Sequence, residues 1–255
     1  MLFNKRVIYR MGSVTPTYKI TKRKDYIEIN SADSCAISGD KIKMKKRFTH
    51  GNIITAKWFR INPGDVQFNQ HNKLWFSERA NKKLNEWEML IAKRYNSSGG
   101  NGIYLIQSPD DFHQFITATK IDRNKNEIKN YIFEKYYKYS KEYRIHVTKD
   151  GCFLADRKML LDNAECRWHR HNDNCVWISE ENPKFDKPNN WDDIVKSCVD
   201  ALRSIGLDIA AFDVKVQNNK HEYPKWIILE SNSAPGLGEN SLNKYREILT
   251  KMING

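Results

Sequence analysis

The sequence predicts an α+β fold, in which strands and helices mix without the regular β-α-β order of a doubly wound parallel sheet. Two observations support this prediction. Strands follow one another as hairpin-like pairs, as in Tyr143–Val147 and Cys152–Ala155. Near the C-terminus, the strands Ala210–Val216 and Trp226–Asn232 begin as apolar, β-branched runs and then carry acidic or amide side chains.

The remaining elements follow from apolar runs and their end signals. Ser108 before Pro109 is the pattern of a helix N-cap, and Gly206 is the pattern of a helix end. Further strands are expected at Arg6–Arg10, Tyr26–Asn30, Asn52–Arg60, Met89–Lys93, Ile103–Ile106 and Tyr131–Glu134, and a polar loop at residues 63–73. Helices are expected at Ser34–Phe48, Phe76–Trp87, Trp191–Ile205 and Ser241–Ile253. The chain then divides into three blocks, residues 1–50, 51–130 and 131–255.

The composition indicates a soluble protein with a sizeable core. The 255 residues are 40% hydrophobic, without a run of about 18 apolar residues or a signal-peptide pattern. Five scattered cysteines suit a reducing compartment, so we expect a cytoplasmic location and no membrane partner. The net charge of +12 favours an acidic partner such as a nucleotide, a nucleic acid or an acidic peptide, although dispersed lysines also fit a merely solvated surface.

The two C-terminal strands carry the most informative chemistry. Strand side chains alternate between faces, so Glu230 and Asn232 share one face, and so do Asp213 and Lys215. Carboxylate and amide oxygens on adjacent strands suit a Mg²⁺ ion that also holds phosphates, and burying such carboxylates without a cation is costly. Strand ends that meet solvent are the alternative. Because both strands carry the pattern, a metal-phosphate site is favoured.

A glycine-rich segment, Ser97–Gly102, lies between two predicted strands and follows Lys93. Glycines let backbone N–H groups approach phosphate oxygens, so the segment can form a flexible flap over a nucleotide. It matches neither a P-loop nor a dinucleotide-binding fingerprint. A plain hairpin turn is the alternative.

A third polar group lies on the strand that contains Tyr143. Glu142, Arg144 and His146 project from one face, and Arg157 and Lys158 add positive charge on the next strand. An arginine in this position can hold a phosphate or a carboxylate with two hydrogen bonds. A cross-strand ion pair is the alternative.

Taken together, these residues resemble the ATP-grasp family. Lys93 resembles the lysine beside its phosphate-covering flap, and the flap itself corresponds to Ser98, Gly99, Gly100 and Gly102. The interdomain hinge that binds adenine corresponds to Glu134, Lys135, Tyr136 and Tyr137. Glu142 falls, with one extra residue of spacing, where the family places its ribose-binding acid.

The reacting end of the family's site has counterparts as well. Arg144 matches the arginine that contacts the transferred phosphoryl group or the acyl phosphate. The Mg²⁺ ligands of the family match Asp213, Glu230 and Asn232, and its Asn-x-x-Pro-Gly turn matches Asn232–Gly236. Lys41 resembles the lysine of the Asp-Lys pair that ends the N-terminal lobe.

The resemblance implies an ATP-grasp fold, in which two α+β lobes grip the nucleotide, with a shortened N-terminal lobe. Residues 1–50 then form the shortened lobe, 51–130 the small lobe with the flap, and 131–255 the large lobe with the hinge and the Mg²⁺ site. ATP and Mg²⁺ are the implied cofactors. A carboxylate attacks the γ-phosphate to give an acyl phosphate and ADP, and an amine then forms an amide. Lys158 helps to offset the nucleotide charge, and Lys215 assists Arg144.

The compact size, the lysine content and the Glu142–His146 strand look most like small phage-type peptide ligases of this family, so amino acids, peptides or proteins are the expected substrates. Two positions depart from the family pattern, since Ala211 stands where many relatives have an arginine and Lys215 is a less usual partner. The shortened lobe leaves the second substrate least defined.

Other interpretations are an ATP-dependent kinase, a nucleic-acid-modifying ligase, and a non-catalytic nucleotide- or RNA-binding module on the same fold. Only the net charge of +12 supports a nucleic-acid partner. A zinc site is a further alternative, with the ligands Cys166, His169, His171 and Cys175. Because Asn172–Asn174 is a turn sequence and the ligand spacing is tight, a β-hairpin is favoured there.

Overall fold

The computed structural model describes residues 6–22, 24–68, 74–76, 82, 85–97, 102–170, 174–218 and 222–254. Contacts between Cα atoms group the chain into two compact units. One unit contains Met1–Thr55 and Lys138–Gly255, and the other contains Ala56–Tyr137. The first of the three blocks expected from the sequence thus packs with the third, and their assignment to lobes stays a prediction.

The secondary structure mixes short strands with a few longer helices. The strands are β1 (Arg6–Tyr9), β2 (Tyr26–Ile29), β3 (Trp58–Phe59), β4 (Val66–Phe68), β5 (Leu74–Phe76), β6 (Leu90–Arg94), β7 (Ile103–Ile106), β8 (Tyr131–Lys135), β9 (Lys141–Thr148), β10 (Gly151–Leu160), β11 (Cys175–Ser179), β12 (Ile209–Val216) and β13 (Trp226–Asn232). The helices are α1 (Thr17–Ile20), α2 (Ala32–Gly39), α3 (Lys41–His50), α4 (Pro109–Ala118), α5 (Trp191–Ile205) and α6 (Glu239–Asn254).

The larger unit is built on an antiparallel sheet with the strand order β11-β10-β9-β12-β13. The strands β1 and β2 pair in parallel beside it as a separate ribbon. The smaller unit contains an antiparallel sheet with the order β3-β8-β6-β7 and the short hairpin β4-β5. The expected α+β class, with hairpin pairs rather than a doubly wound sheet, is therefore confirmed.

One face of the large sheet is apolar. Alternate residues of β9 and β12, among them Tyr143, Ile145, Phe212 and Val214, are fully buried in a single core with α5. The helix α5 is amphipathic, and its apolar stripe packs on this face because burial of such side chains stabilises the fold. The alternation of strand side chains leaves the opposite face to the polar residues of the same strands.

Two predictions of helix ends are confirmed. The hydroxyl of Ser108 accepts a hydrogen bond from the Asp111 amide and caps α4. Gly206 ends α5 in the left-handed conformation, with φ of +74°. All five cysteines are free thiols. No helix in the described ranges combines the length and the apolar character that a membrane span requires.

Other local predictions are wrong. Two helices, α2 and α3, replace the single helix expected from Ser34 to Phe48, because Asp40 is extended and its carboxylate caps the amides of Ile42 and Lys43. The strand expected at Asn52–Arg60 shortens to β3, since the chain turns at Asn52, where φ is +55°.

The segment from residue 63 to residue 87 also differs from the prediction. The expected loop contains β4, and Phe76, expected in a helix, lies in β5. Residues 69–73, 77–81, 83 and 84 lie outside the described residues, and so does most of the expected helix.

A buried His-Tyr contact attaches α6 to the polar face of the large sheet. His146 of β9 is 1% exposed, and its Nδ1 atom lies 2.8 Å from the Tyr245 hydroxyl, with which it shares a hydrogen bond. Phe153 packs edge-on against both rings. Burial lowers the pKa of His146 to about 3, and the nearby Arg144 acts in the same direction. The imidazole is therefore neutral in the folded protein.

Gly206→Ala tests the helix end. We expect the substitution to lower the free energy of unfolding by about 1–2 kcal/mol, because an L-residue is strained in the left-handed region. The added Cβ would also lie 3.0 Å from Ser34 Oγ. The control is Gly39→Ala, because a Cβ at this position meets nothing within 4 Å. This change should be neutral or should stabilise the fold by up to about 1 kcal/mol. Equal changes in the free energy of unfolding for the two variants, measured by urea unfolding, would contradict the assignment of Gly206 as the left-handed end of α5.

The His146 contact predicts a pH dependence. Because the pKa is lower in the folded state, at about 3, than in the unfolded chain, at about 6.5, the neutral imidazole contributes stability that is lost as the pH falls between these values. The difference in unfolding free energy between the wild type and His146→Gln should therefore shrink over this range. His113→Gln, at an exposed position, is the control. A difference that stays constant with pH would show that His146 does not titrate in this way.

Candidate active site

The polar face of the large sheet carries charges of both signs in register. On the central strands, Arg144 of β9 lies opposite Asp213 of β12 on one side and opposite Asp156 of β10 on the other. Glu142 lies between two lysines in the same way, with Lys158 on β10 and Lys215 on β12. Directly opposite residues of antiparallel strands point to the same face, so the register places these side chains together.

The central contact of this face is a bidentate ion pair. Arg144 donates to both oxygens of Asp213, with Nε–Oδ1 at 2.7 Å and Nη2–Oδ2 at 2.9 Å. Asp213 is only 3% exposed. Burial by itself raises the pKa of Asp213, but Lys158 and Arg144 hold it well below its usual range. The carboxylate is therefore ionised and fully paired.

Lys158 connects this pair to the second carboxylate. Its Nζ atom lies 3.1 Å from Glu142 Oε1 and 3.4 Å from Asp213 Oδ2. Arg170, from the loop before β11, approaches Glu142 Oε2 to 3.6 Å, and its side chain is 10% exposed. Burial lowers the pKa of Lys158, but Asp213 and Glu142 outweigh this effect and raise it. The face thus holds a compact network of alternating charges.

An aromatic ring lies against the two central cations. Trp177 of β11 has its ring centroid 4.7 Å from Arg144 Cζ and 5.0 Å from Lys158 Nζ. The π-face of an indole attracts cations, and partly desolvated contacts of this kind are worth about 1–2 kcal/mol. Trp177 therefore fixes the plane of the guanidinium without using its N–H donors.

The residues at the edge of the network are those expected to hold Mg²⁺. Glu230 of β13 lies directly opposite Asp213, and Asn232 follows two residues later on the same half-buried strand. The Nδ2 atom of Asn232 is buried without a hydrogen-bond partner. Two carboxylates and one amide suit an oxygen-preferring cation. The residues therefore fit Mg²⁺, provided that the ion shares or replaces the contact of Asp213 with Arg144.

This ligand set is small. Within the described ranges no three His, Cys, Asp or Glu side chains converge on one point.

His171, part of the alternative zinc set, lies outside the described residues. Of the other three residues of the zinc set, Cys175 is buried. Asn174 donates hydrogen bonds to the carbonyl oxygens of Cys166 and His169. These bonds give a closed turn rather than a set of converging ligands.

The smaller unit carries a second buried ion pair. Lys93 Nζ of β6 lies 2.8 Å from Glu134 Oε2 of β8, and Glu134 is 2% exposed. The next two residues of the expected hinge donate backbone hydrogen bonds within this unit, Lys135 to the Lys57 carbonyl and Tyr136 to the Met89 carbonyl. The hinge residues up to Tyr136 are thus fixed by the sheet.

The remaining predicted site residues belong to other parts of the chain. Lys41 begins α3, whose Met44 and Phe48 pack in the apolar core. Gly102 closes the β6–β7 connection with φ of +70°. Tyr137 ends the smaller unit. Ser98, Gly99 and Gly100 of the expected flap lie outside the described residues.

Among the members of the network that sequence reasoning missed are Asp156 and Trp177, and it misjudged one neighbour. Asp156 precedes Lys158 by two residues, so alternation could have identified it. Trp177 could not be identified in this way, because its position depends on the pairing of β11 with β10. Arg157 points to the opposite face, where its Nη1 donates to the Lys184 carbonyl, so it does not add charge here.

Comparison with known proteins shows the fold. No family model and no curated protein matches the sequence. The structure is similar to D-alanine–D-alanine ligase from Coxiella burnetii, with a TM-score of 0.61 and 14% identity over 90% of this chain and 60% of that chain. It is also similar to D-alanyl-alanine synthetase A from Vibrio cholerae, with a TM-score of 0.62 and 12% identity over 90% of this chain and 68% of that chain.

The ATP-grasp ligase PsnB complexed with a precursor peptide and AMPPNP gives a TM-score of 0.59 and 12% identity, over 90% of this chain and 64% of that chain. The chain thus spans about three fifths to two thirds of the length of these proteins. Similarity at such low identity concerns the fold alone. The protein has the α+β fold of the ATP-grasp ligases.

Proposed function

We propose that the protein is an ATP-dependent ligase that joins a carboxylate to an amine through an acyl phosphate. The observation that carries this proposal is the buried Arg144–Asp213 pair, next to Glu230 and Lys158, on the charged face of a sheet with this fold. Proteins similar in structure include a D-alanine–D-alanine ligase from Bacillus anthracis complexed with ATP and PsnB complexed with Mg and ADP. We therefore propose ATP and Mg²⁺ as the cofactors.

Asp213, Glu230 and Asn232 are the proposed Mg²⁺ ligands. The ion would supply positive charge between the phosphate oxygens, where negative charge accumulates during transfer. Lys158 adds a fixed positive charge beside these ligands, because Glu142 and Asp213 hold its ammonium group on the face. Glu142 is the proposed ribose ligand.

Arg144 is the residue proposed to contact the reacting phosphoryl group. The substrate carboxylate attacks the γ-phosphorus, ADP leaves, and the acyl phosphate forms. The amine then attacks the acyl carbon, loses a proton and expels phosphate. A guanidinium held by a carboxylate and an indole is preorganised for the charge that develops, which is how such groups lower an activation barrier. Lys215, also buried on this face, is proposed to assist.

In the smaller unit, Lys93 is proposed to contact nucleotide phosphates, and the segment Glu134, Lys135, Tyr136 and Tyr137 to recognise adenine. The Lys93–Glu134 contact holds both side chains in place before any ligand binds. Lys41 and the flap residues Ser98, Gly99, Gly100 and Gly102 complete the proposed nucleotide contacts.

The substrate class is proposed by analogy of fold. The similar structures include a D-alanine–D-alanine ligase and an ATP-grasp ligase complexed with a precursor peptide. Amino acids, peptides or proteins are therefore the first candidates for both the acid and the amine. We also propose that the chain belongs to a small, phage-type branch of peptide ligases, and that it acts in the cytoplasm.

A kinase on the same site is the second candidate, because the first half-reaction of a ligase is itself a phosphoryl transfer. A nucleic-acid-modifying ligase or a non-catalytic nucleotide- or RNA-binding module rests on the net charge of +12 alone. The buried Asp213 faces the half-buried Glu230 across β12 and β13. This pair favours the catalytic alternatives, because two neighbouring carboxylates repel each other unless a cation lies near both.

The experiment that separates these candidates is a screen of amino acids and short peptides with Mg²⁺-ATP. ADP release is measured with and without an added amine, and new amides are identified by mass spectrometry. A ligase gives ADP and an amide only when acid and amine are both present. ADP release with a phosphorylated product and no amine dependence identifies a kinase. No nucleotide turnover with any acid or amine would contradict the proposal.

Glu230→Gln tests the metal assignment. The change keeps the shape of the side chain but removes the charge, so we expect normal folding and a fall of about a hundredfold or more in ADP release. Glu247→Gln, an exposed change on α6, is the control and should keep full activity. Thermal unfolding of both variants checks the fold. Near-normal turnover of Glu230→Gln would show that this carboxylate does not hold a catalytic cation.

A further inference from the structure

A divalent cation on Asp213 would compete with both of the present contacts of this carboxylate. Arg144 donates to both of its oxygens, and Lys158 approaches one of them. A cation on either oxygen would bring like charges within about 4 Å in a buried environment, where their repulsion is strong. Mg²⁺ on Asp213 would therefore favour the movement of Arg144 to another acceptor.

Among the described residues, the polar face offers one carboxylate as the new acceptor for Arg144. Glu142 is already held by Lys158 and Arg170, and Glu230 is itself a proposed ligand of the ion. Asp156 lies directly opposite Arg144 on β10, and within the described residues its ion-pair contact is with His146, at 3.9 Å. That imidazole is neutral, since burial lowers the pKa of His146 to about 3. Asp156 thus forms no ion pair with a charged cation among the described residues. Burial raises the pKa of Asp156, and the charge of Arg144 acts against this rise.

The geometry permits a short movement. Side chains of directly opposite strand residues are about 5 Å apart at Cβ, so Arg144 reaches Asp156 by changing rotamers without a backbone shift. Trp177 lies on β11, beyond β10 as seen from β9, and its ring already lies against the guanidinium at 4.7 Å. A guanidinium that turns toward β10 therefore stays over the indole while its N–H donors change acceptor.

We propose that Asp156 is a positioning residue that receives the Arg144 guanidinium when a divalent cation binds to Asp213 and Glu230. In the cation-bound state each carboxylate of the polar face named above has a cationic partner, because Asp213 pairs with the metal and Asp156 pairs with Arg144. The exchange also keeps Arg144 beside the metal, where the proposed reaction needs it. This inference rests on the proposed function through the assignment of Asp213 and Glu230 as ligands.

The test is a double-mutant cycle on metal affinity, measured with Mn²⁺ and ADP by the electron paramagnetic resonance signal of free Mn²⁺. Asp156→Asn should weaken Mn²⁺ binding about five- to tenfold, because Arg144 then stays on Asp213. Arg144→Gln should tighten binding, because it removes the competitor. In the Arg144→Gln background, Asp156→Asn should have no further effect, because Asp156 acts only through Arg144.

Two further variants separate positioning from other roles. Asp156→Glu keeps a carboxylate and should restore Mn²⁺ affinity to within about twofold of the wild type. Asp150→Asn removes the same charge from the exposed β9–β10 turn and should leave the affinity unchanged. If Asp156→Asn does not fold, the Arg144 Nε–H signal of the wild type, followed by NMR on addition of Mg²⁺ and ADP, gives the same information. We expect this signal to shift when Arg144 moves from Asp213 to Asp156. An unchanged signal would overturn the proposed movement.

The outcomes distinguish this inference from the proposed function. An equal loss of affinity from Asp156→Asn in both backgrounds would show a direct effect on the metal and overturn the exchange. Unchanged affinity in Asp156→Asn would overturn it as well, while the metal site stands if Asp213→Asn abolishes binding. If the wild type binds no Mn²⁺ with ADP, the metal assignment fails and the exchange fails with it.

Discussion

The ion pair between Arg144 and Asp213 is the contact on which the charged face of the large sheet depends. Both residues lie on central strands, and the opposite faces of those strands are buried in the apolar core. Asp213 is almost without solvent, so its charge requires a partner in every state of the protein. The positions of Lys158, Glu142 and Trp177 follow from this requirement, because each contacts one member of the pair or a neighbour of it.

A network of this kind contributes to chemistry more than to stability. Buried ion pairs recover little more than the cost of removing the charges from water, and apolar residues of similar size would often serve stability as well. Under the proposed function, the network provides cations and carboxylates that are in position before a nucleotide binds, and such positioning is the main requirement for phosphoryl transfer.

The sequence predicts most of the elements and the core of the candidate site, because both depend on local periodicity. Alternation along β12 and β13 is sufficient to place Asp213, Glu230 and Asn232, and single residues such as Ser108 and Gly206 mark helix ends. What local patterns miss depends on contacts distant in sequence or on competing local bonds. The pairing of β10 with β11 brings Trp177 to Arg144, and a side-chain cap at Asp40 divides a lysine-rich stretch into α2 and α3.

The most direct test of this account is a crystal structure of the protein with Mn²⁺ and a non-hydrolysable ATP analogue, in which anomalous scattering locates the metal. The account predicts a peak within about 2.2 Å of oxygen atoms of both Asp213 and Glu230, next to the analogue phosphates. Arg144 should no longer donate to both oxygens of Asp213. A metal held elsewhere would contradict the assignment of this face as the active site. A metal on Asp213 and Glu230 beside an unchanged bidentate Arg144–Asp213 pair would contradict only the exchange of acceptors by Arg144.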